Sequence, residues 1–358
     1  MPLSAPEKAG VAGLAFAGGA LLLRRAMAPG ARDLRGRVVL VTGGGGGVGR
    51  EAAIAFAQQG ARVLLWDLFP AALDDSAAAI RAAVPGADVR TTVVDLCDRE
   101  AVYAAADAAQ RQRWGGGQRE GEGEREGGGV FCVVNNAGIV TGAPLLEIPD
   151  ANIERTFAVN TLAHFWTVKA FLPAMLRRGG DGHIVTLASV AGLIGSARLT
   201  DYSASKFAAV GFHEALRAEL RAMGGAGASV GVSLVCPAHI ATKLFDGFKQ
   251  PFVPSLTARE VADAMVNAVR ERRAMTVLPA MVRPTLVAKA LLPTAVIESI
   301  NSLVGLDNTM SRFNGGHAQQ TLAQMARAGA NGSVVGKSGA LALPPAPGVA
   351  AAPVRSRL

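Results

Sequence analysis

Cysteine is scarce: the 358 residues hold three, Cys97, Cys132 and Cys236, and they lie far apart. Such spacing supports neither a disulfide framework nor a set of zinc ligands, and it fits a reducing compartment. Aromatic residues make up only 5% of the chain while Gly and Ala abound. That composition suits helices packed closely on a sheet and argues against disorder across the middle of the chain. Long apolar runs are lacking too. The uncharged stretch at residues 10–23 has 14 residues, fewer than the roughly 20 a spanning helix needs. Followed at once by Arg24 and Arg25, it is expected to be a shallow anchor, with a signal-anchor, an interfacial segment or a transit peptide as the other readings. No helix-turn-helix, zinc or base-stacking motif is present, so nucleic acid is not an expected partner.

Charge is present but unevenly placed. The net charge is +8, and both ends are basic. Up to residue 37, Lys8, Arg24, Arg25, Arg32, Arg35 and Arg37 face only Glu7 and Asp33. Cations again outnumber acids after residue 250. Basic ends on a slightly acidic middle suit an anionic membrane surface, where each cation contributes about 1 kcal/mol. An Arg-favouring composition bias would give the same count.

Half of the chain is hydrophobic, enough to bury one large core. Residues 37–42 read as a buried strand that runs directly into five glycines, Gly43 to Gly47, then Val48 and Gly49 and a helical pattern at 50–59. A strand, a glycine turn and a helix amino terminus together make a phosphate site, because free N–H groups and the helix dipole point at the anion. A merely flexible linker has no reason to sit between an apolar strand and an amphipathic helix. The next strand, 61–66, ends at Asp67. A carboxylate there accepts from an adenosine ribose diol and repels a 2′-phosphate, which favours NAD over NADP. A helix cap before Pro70 is its other reading, and Arg50 is the cation that could oppose it. A third strand, 89–94, leads to Asp95 and Leu96 at the expected adenine edge.

Residues 113–129 form a Gly, Glu and Arg low-complexity insert, expected to be a disordered surface loop. Strand and helix alternation resumes after it at 130–134, with Asn135, Asn136, Ala137 and Gly138 turning beside the cleft. A helix from about residue 150 carries Asn160, and a strand at 182–187 delivers Ser189 at its carboxyl end. Tyr202 and Lys206 follow, four apart and so on one helix face. The ammonium can favour the ionised phenol. Proton transfer near neutrality asks for a drop of roughly 3 units from about 10, or about 4 kcal/mol.

In this order Thr42, Gly43 to Gly49, Asp67, Asp95, Asn135 to Gly138, Asn160, Ser189, Tyr202 and Lys206 resemble the short-chain dehydrogenase/reductase superfamily over about residues 35–245. The resemblance implies a doubly wound parallel α/β sheet, a Rossmann fold. Tyr202 would be the general acid/base, with Lys206 lowering its pKa and holding the nicotinamide ribose. Ser189 would orient the carbinol or carbonyl, and Asn160 would support a proton relay. Thr42, Gly43, Gly47, Val48, Gly49, Asp67, Asp95, Leu96, Asn135, Asn136, Ala137, Gly138, Tyr202, Lys206, Pro237 and Thr242 would hold the cofactor. The family's Pro-Gly after the sixth strand reads Pro237-Ala238 here, with Thr242 kept. No metal is called for, and His239 is expected to be a loop residue without clustered partners.

Trp66-Asp67 and the stretch from Leu291-Leu292-Pro293 through Gly305, Met310 and Phe313-Asn314-Gly315 are similar to a membrane-associated branch. That branch contains retinol dehydrogenases and the 17-beta-hydroxysteroid dehydrogenases of lipid droplets. The likeness implies a lipophilic alcohol or ketone, a retinoid, steroid or related lipid, at the endoplasmic reticulum or a lipid droplet facing the cytosol; a homodimer fits as well. An NADPH-dependent 3-oxoacyl or steroid ketoreductase is the alternative within the class. A catalytically silent lipid-surface protein is the alternative outside it. Thr257 and Glu260 form a capping box for a helix to about residue 273. The domain is expected over 31–315, after the segment 1–30 and before a low-complexity tail, 316–358. That tail ends Ser356-Arg357-Leu358, close to a peroxisomal address.

Overall fold

The computed structural model describes residues 31–114, 129–245, 247–248, 252–303, 309–310, 313 and 322–325. The expected anchor at 1–30, most of the insert at 113–129, and the carboxyl-terminal tripeptide lie outside the described residues. Seven parallel strands form one sheet: β1 (Val38–Thr42), β2 (Arg62–Asp67), β3 (Val89–Val93), β4 (Cys132–Asn135), β5 (His183–Leu187), β6 (Gly231–Pro237) and β7 (Met275–Leu278). Their spatial order is β3-β2-β1-β4-β5-β6-β7. The chain therefore reverses direction across the sheet between β1 and β4, and a cleft opens at the carboxyl ends of those strands, where ligands bind in open parallel sheets.

Covered on both faces, the inner strands read as unbroken apolar runs. All five residues of β1 are buried, with Val39 and Val41 on one face and Val38 and Leu40 on the other. On the first face lie α1 (Gly47–Gln58), α2 (Pro70–Ala83) and α8 (Ala258–Arg270). The second face carries α3 (Arg99–Arg111), α5 (Ala163–Arg177) and α6 (Thr200–Met223). The short helices α4 (Asp150–Phe157) and α7 (Gly225–Ser229) complete the layers, and α9 (Arg283–Leu291) and α10 (Thr294–Leu303) follow β7. The capping box forms as expected: Glu260 N–H donates to Thr257 Oγ1 at 3.2 Å, and Thr257 N–H donates to Glu260 Oε2 at 2.7 Å.

Two local features depart from the sequence reading. The helix carrying Asn160 is not α-helical throughout: a π turn, Ala158–Leu162, joins α4 to α5. Such wide turns inside helices recur at functional sites. The boundary drawn at residue 315 leaves out a turn of helix at 322–325 whose Leu322 and Met325 are buried against the fold.

Candidate active site

The site is assembled from six strand ends. β1 delivers the glycine turn. A Cβ on Gly49 would fall 2.1 Å from the Gly43 carbonyl oxygen, and one on Gly43, where φ is +65°, would fall 2.8 Å from Ala137 Cα. Close packing therefore demands glycine at both positions. Gly46 and Gly47 are different, because nothing lies within 4 Å of a Cβ built on either, and both line the cleft. Bare backbone at the amino end of α1 faces open space, with N–H groups that no helical carbonyl can reach. These residues fit the diphosphate of a dinucleotide.

Asp67 closes the turn from the side. Its Oδ2 accepts from Gly45 N–H at 2.8 Å and its Oδ1 from Phe69 N–H at 3.2 Å. Burial pushes its pKa up from the ordinary carboxylate value, and the backbone donors oppose that rise. Each oxygen keeps accepting capacity for a ribose hydroxyl. Arg50 lies in the same cleft, its Nε donating to Ser76 Oγ at 2.9 Å and its guanidinium to the Gly45 carbonyl at 3.2 Å. Asp95 and Leu96 line the cleft at the end of β3, with Asp95 Oδ1 accepting from Cys97 N–H at 2.9 Å.

Two residues expected at the cofactor serve the protein instead. Thr42 is buried. Its hydroxyl donates to Val134 O at 3.3 Å and accepts from the backbone of Asn136 and Ala137 at 3.0 and 3.2 Å. Asn135 is buried as well, its Oδ1 accepting from Thr167 at 2.8 Å. Both fasten β4 to its neighbours and neither lines the cleft. Asn136, Ala137 and Gly138 do line it, and Asn136 Nδ2 donates to Thr42 O at 2.8 Å, locking the two strand ends together.

Tyr202, Lys206 and Ser189 are brought to one place, and all three are buried. Lys206 Nζ lies 5.7 Å from the centre of the Tyr202 ring and donates to Leu187 O at 3.0 Å. Ser189 Oγ accepts from Ala191 N–H at 3.1 Å and points toward Pro237 O at 3.4 Å. The expected drop in the Tyr202 pKa is not found in the protein alone. Burial pushes it up to about 12, with the Ser189 hydroxyl pulling the other way. Burial also holds Lys206 down, to about 8. At neutral pH the phenol therefore carries its proton, the form that can donate to a carbonyl oxygen.

Asn160 sits in the π turn, fully buried, and clasps the chain after β4. Its Oδ1 accepts from Ile139 N–H at 2.9 Å, while its Nδ2 donates to Ile139 O at 2.9 Å and to Ser205 Oγ at 3.0 Å. A Cβ on Gly138 would lie 3.4 Å from both Asn160 Oδ1 and Lys206 Nζ, so the amide and the ammonium flank the same glycine. Pro237 and Thr242 line the cleft on the β6 side. Ala238, where the family has glycine, is accommodated without strain: the described non-glycine residues with positive φ are Arg198, Phe252 and Arg272.

Several contributors were not legible from spacing. Phe245 meets the Tyr202 ring edge-on at 5.6 Å, and Phe248 and Phe313 extend the wall at 6.0 and 6.4 Å from Phe245. His239 is a loop residue, as expected, and it belongs to that wall. It stacks on Phe248 at 4.5 Å and its Nδ1 is hydrogen-bonded to Ser255 Oγ at 2.8 Å. Asp201, next to the tyrosine, accepts from Thr141 at 2.7 Å and Thr156 at 3.1 Å in a buried cluster. Residues so far apart leave no pattern in a single sequence. Among the described residues no cluster of His, Cys, Asp or Glu could hold a metal ion.

Together these elements enclose a cleft of about 1700 Å³, larger than one small ligand fills. Glycines and carboxylates line one arm, and Ile194, Leu244, Phe245, Phe248, Val253 and Met281 line another.

Comparison with known proteins places this architecture. The family model for short chain dehydrogenases matches residues 37–251. The chain is 35% identical to short-chain dehydrogenase/reductase family 16C member 6 of Bos taurus, over 79% of this chain and 84% of that protein. It is 37% identical to 17-beta-hydroxysteroid dehydrogenase 13 of Rattus norvegicus, covering 76% and 84%. Identity to retinol dehydrogenase 10-A of Danio rerio is 36%, covering 80% and 87%. A short-chain dehydrogenase/reductase from Burkholderia phymatum, solved in complex with NAD, superposes with a TM-score of 0.61 at 30% identity, over 72% of this chain and 94% of that one. Because the match spans every strand from β1 to β6 and the residues from the glycine turn to Thr242, the chain belongs to the short-chain dehydrogenase/reductase family, in its retinol and 17-beta-hydroxysteroid dehydrogenase-like branch, and is an oxidoreductase acting on CH–OH groups with a nicotinamide cofactor.

Proposed function

We propose that the protein interconverts the CH–OH and C=O groups of a lipophilic alcohol or ketone, a retinoid, steroid or related lipid, using NAD(H). The observation that carries this reading is the placing of Tyr202, Ser189 and Lys206 where a glycine-lined arm of the cleft meets an aromatic and aliphatic one. When bound, the dinucleotide supplies or takes up the hydride. The chain's own residues do the rest. Gly46, Gly47 and the start of α1 receive the diphosphate, and Asp67 receives the adenosine ribose. Ser189 orients the reacting oxygen, and Tyr202 gives it a proton or removes one. Lys206 supplies a fixed positive charge below the phenol, and Asn160 keeps the backbone after β4 in place. The apolar arm removes the substrate from water by burying hydrocarbon, at about 25 cal/mol per Å².

Asp67 supports NAD over NADP, since a 2′-phosphate would meet a carboxylate. Names of relatives support the substrate class: 17-beta-hydroxysteroid dehydrogenase 13 and retinol dehydrogenase 10-A are named for steroid and retinol substrates. Association with a membrane or lipid-droplet surface is part of the same reading. Helices α9 and α10 bury none of their residues and leave Leu291, Val296, Ile300 and Leu303 exposed near Arg283 and Lys289. Exposed apolar groups on adjacent helices suit a lipid interface. Among the described residues no helix is long and apolar enough to cross a membrane.

The direct test offers purified protein paired retinoid, steroid and 3-oxoacyl substrates with NAD(H) and NADP(H). Turnover of a retinoid or steroid with NAD(H) above the acyl substrates supports the reading. A preference for 3-oxoacyl substrates with NADPH would replace it.

A further inference from the structure

The turn of helix at 322–325 follows the other residues that build the site, in a stretch whose composition reads as tail. Its packing says otherwise. Leu322 and Met325 are 5% and 9% exposed and join Ile139 and Val159 in a small apolar cluster, against which Leu68, Phe69 and Ala137 also pack. The segment is tied down by a side chain from α4, as the Arg155 guanidinium donates to Leu322 O at 3.1 Å. Gln324 and Met325 line the main cleft.

The identity of those neighbours gives the segment its meaning. Leu68 and Phe69 follow Asp67 at the end of β2, and Ala137 and Ile139 flank Gly138 at the end of β4. With Asp95 and Leu96 at the end of β3, these strand ends bound the arm of the cleft that suits an adenosine. Leu322 and Met325 pack across the ends of β2 and β4, with Met325 lining that arm. Two apolar side chains buried on a cleft rim, plus one charge-assisted hydrogen bond to a carbonyl, hold a strap closed most of the time and still let it open.

We propose that residues 322–325 are a strap completing the adenosine half of the nucleotide site, held by Leu322, Met325 and Arg155, so that it governs how fast the cofactor leaves. This rests on the nicotinamide-cofactor reading above. Neither Tyr202 nor Ser189 belongs to the cluster that holds the strap, so its loss acts on binding of the nucleotide and not on the proton-transfer groups.

The test measures NADH and AMP binding by fluorescence and calorimetry, and NADH release by stopped flow, with no substrate present. Five proteins are compared: the full chain, a chain ending at residue 326, a chain ending at residue 321, the full chain with Leu322→Ser and Met325→Ser, and the full chain with Arg155→Ala. Arg155→Ala serves as a milder variant, and thermal melts show which proteins remain folded. The chain ending at 326 should match the full chain. The chain ending at 321 and the double variant should release NADH at least tenfold faster and bind AMP correspondingly more weakly, with Arg155→Ala between them. Unchanged release in the folded double variant and in Arg155→Ala would overturn the proposal. If the full chain binds NADH normally, that failure leaves the cofactor reading standing. If the full chain binds neither NADH nor NADPH, the cofactor reading falls and the strap falls with it.

Discussion

The Lys206 ammonium donates to the carbonyl oxygen of Leu187 at 3.0 Å, tying the second turn of α6 to the strand that leads to Ser189. Burial costs this cation enough to bring its pKa down to about 8. A buried charge without a carboxylate partner is a poor way to stabilise a fold. Its presence is explained by chemistry at the neighbouring phenol.

The first prediction follows from that imbalance. Lys206→Met keeps most of the side-chain volume and removes the desolvated charge, leaving Leu187 O without this donor. Melting temperature should change by only a few degrees in either direction, while turnover falls at least about a hundredfold, the lower scale for general acid/base catalysis. A thermal melt beside a turnover assay checks both. Lost stability together with normal specific activity of the folded fraction would make Lys206 a structural residue.

Tyr202→Phe removes one oxygen from a ring that Phe245 already supports edge-on. The fold and nucleotide affinity should persist, with NADH titration close to that of the native protein. Turnover should again drop by about a hundredfold or more. A variant that still turns over at the native rate would remove Tyr202 from the mechanism.

Asp67 and Arg50 compete for the character of the ribose pocket. With Asp67 accepting from Gly45 and Phe69 and Arg50 held by Ser76 and Gly45, the carboxylate is the group placed at the strand end. The kcat/KM ratio should favour NAD over NADP. Asp67→Ala should narrow it by at least tenfold, because repulsion of a 2′-phosphate and diol binding are lost together. A native preference for NADP would show that Arg50 dominates.

Three buried histidines set the acid stability. Burial, reinforced by nearby cations, lowers His164 to about 3, His213 to about 4 and His183 well below its usual range. Unfolded, each titrates near 6.5. Below that pH the unfolded chain takes up protons that the folded chain refuses, so stability falls as the solution is acidified. The loss is about 1.4 kcal/mol per histidine for each pH unit below 6.5. Urea melts from pH 7.5 to 5 should show it. His164→Gln should reduce the slope by one histidine's share, since neither ring nitrogen has a partner to lose. A flat profile over that range would contradict the burial-driven shifts.

How far the sequence speaks depends on whether the physics is local. The glycine turn, the capping box at Thr257 and Glu260, and the apolar strands are each written in a few adjacent residues, and they form where expected. Tyr202 and Lys206 are four residues apart on one helix, so their meeting is also local. The π turn at Asn160 leaves no periodic mark. The aromatic wall draws on His239, Phe245, Phe248 and Phe313, which only the fold brings together. Thr42 and Asn135 sit in motif positions, yet their hydrogen bonds go to Val134, Asn136, Ala137 and Thr167. Whether a motif residue faces the ligand or its own strand is decided by packing. The direction of the Tyr202 shift is equally out of reach, because spacing reveals the nearby cation and not the depth of burial that outweighs it.

The last prediction separates the surfaces that could bring the protein to lipid. Residues 1–30 and the final Ser356-Arg357-Leu358 are two candidate addresses in the sequence, and α9 with α10 is a third. On these helices Leu291 and Leu303 are 76% and 88% exposed, a cost in water that insertion into an interface would reverse at about 25 cal/mol per Å². Arg283 adds roughly 1 kcal/mol against anionic headgroups, while the Lys289 ammonium is held by the Leu193 carbonyl at 2.6 Å. A chain lacking residues 1–30 should therefore still float with anionic vesicles, and Leu291→Ser with Leu303→Ser should weaken that flotation at least fivefold while leaving the melting temperature nearly unchanged. In cells the shortened chain should remain on the endoplasmic reticulum or lipid droplets. If it instead becomes diffuse while the double variant stays in place, the amino-terminal segment alone is the anchor. If removing residues 356–358 releases the protein from peroxisomes, the tripeptide is the working address and the lipid-surface reading of α9 and α10 is wrong.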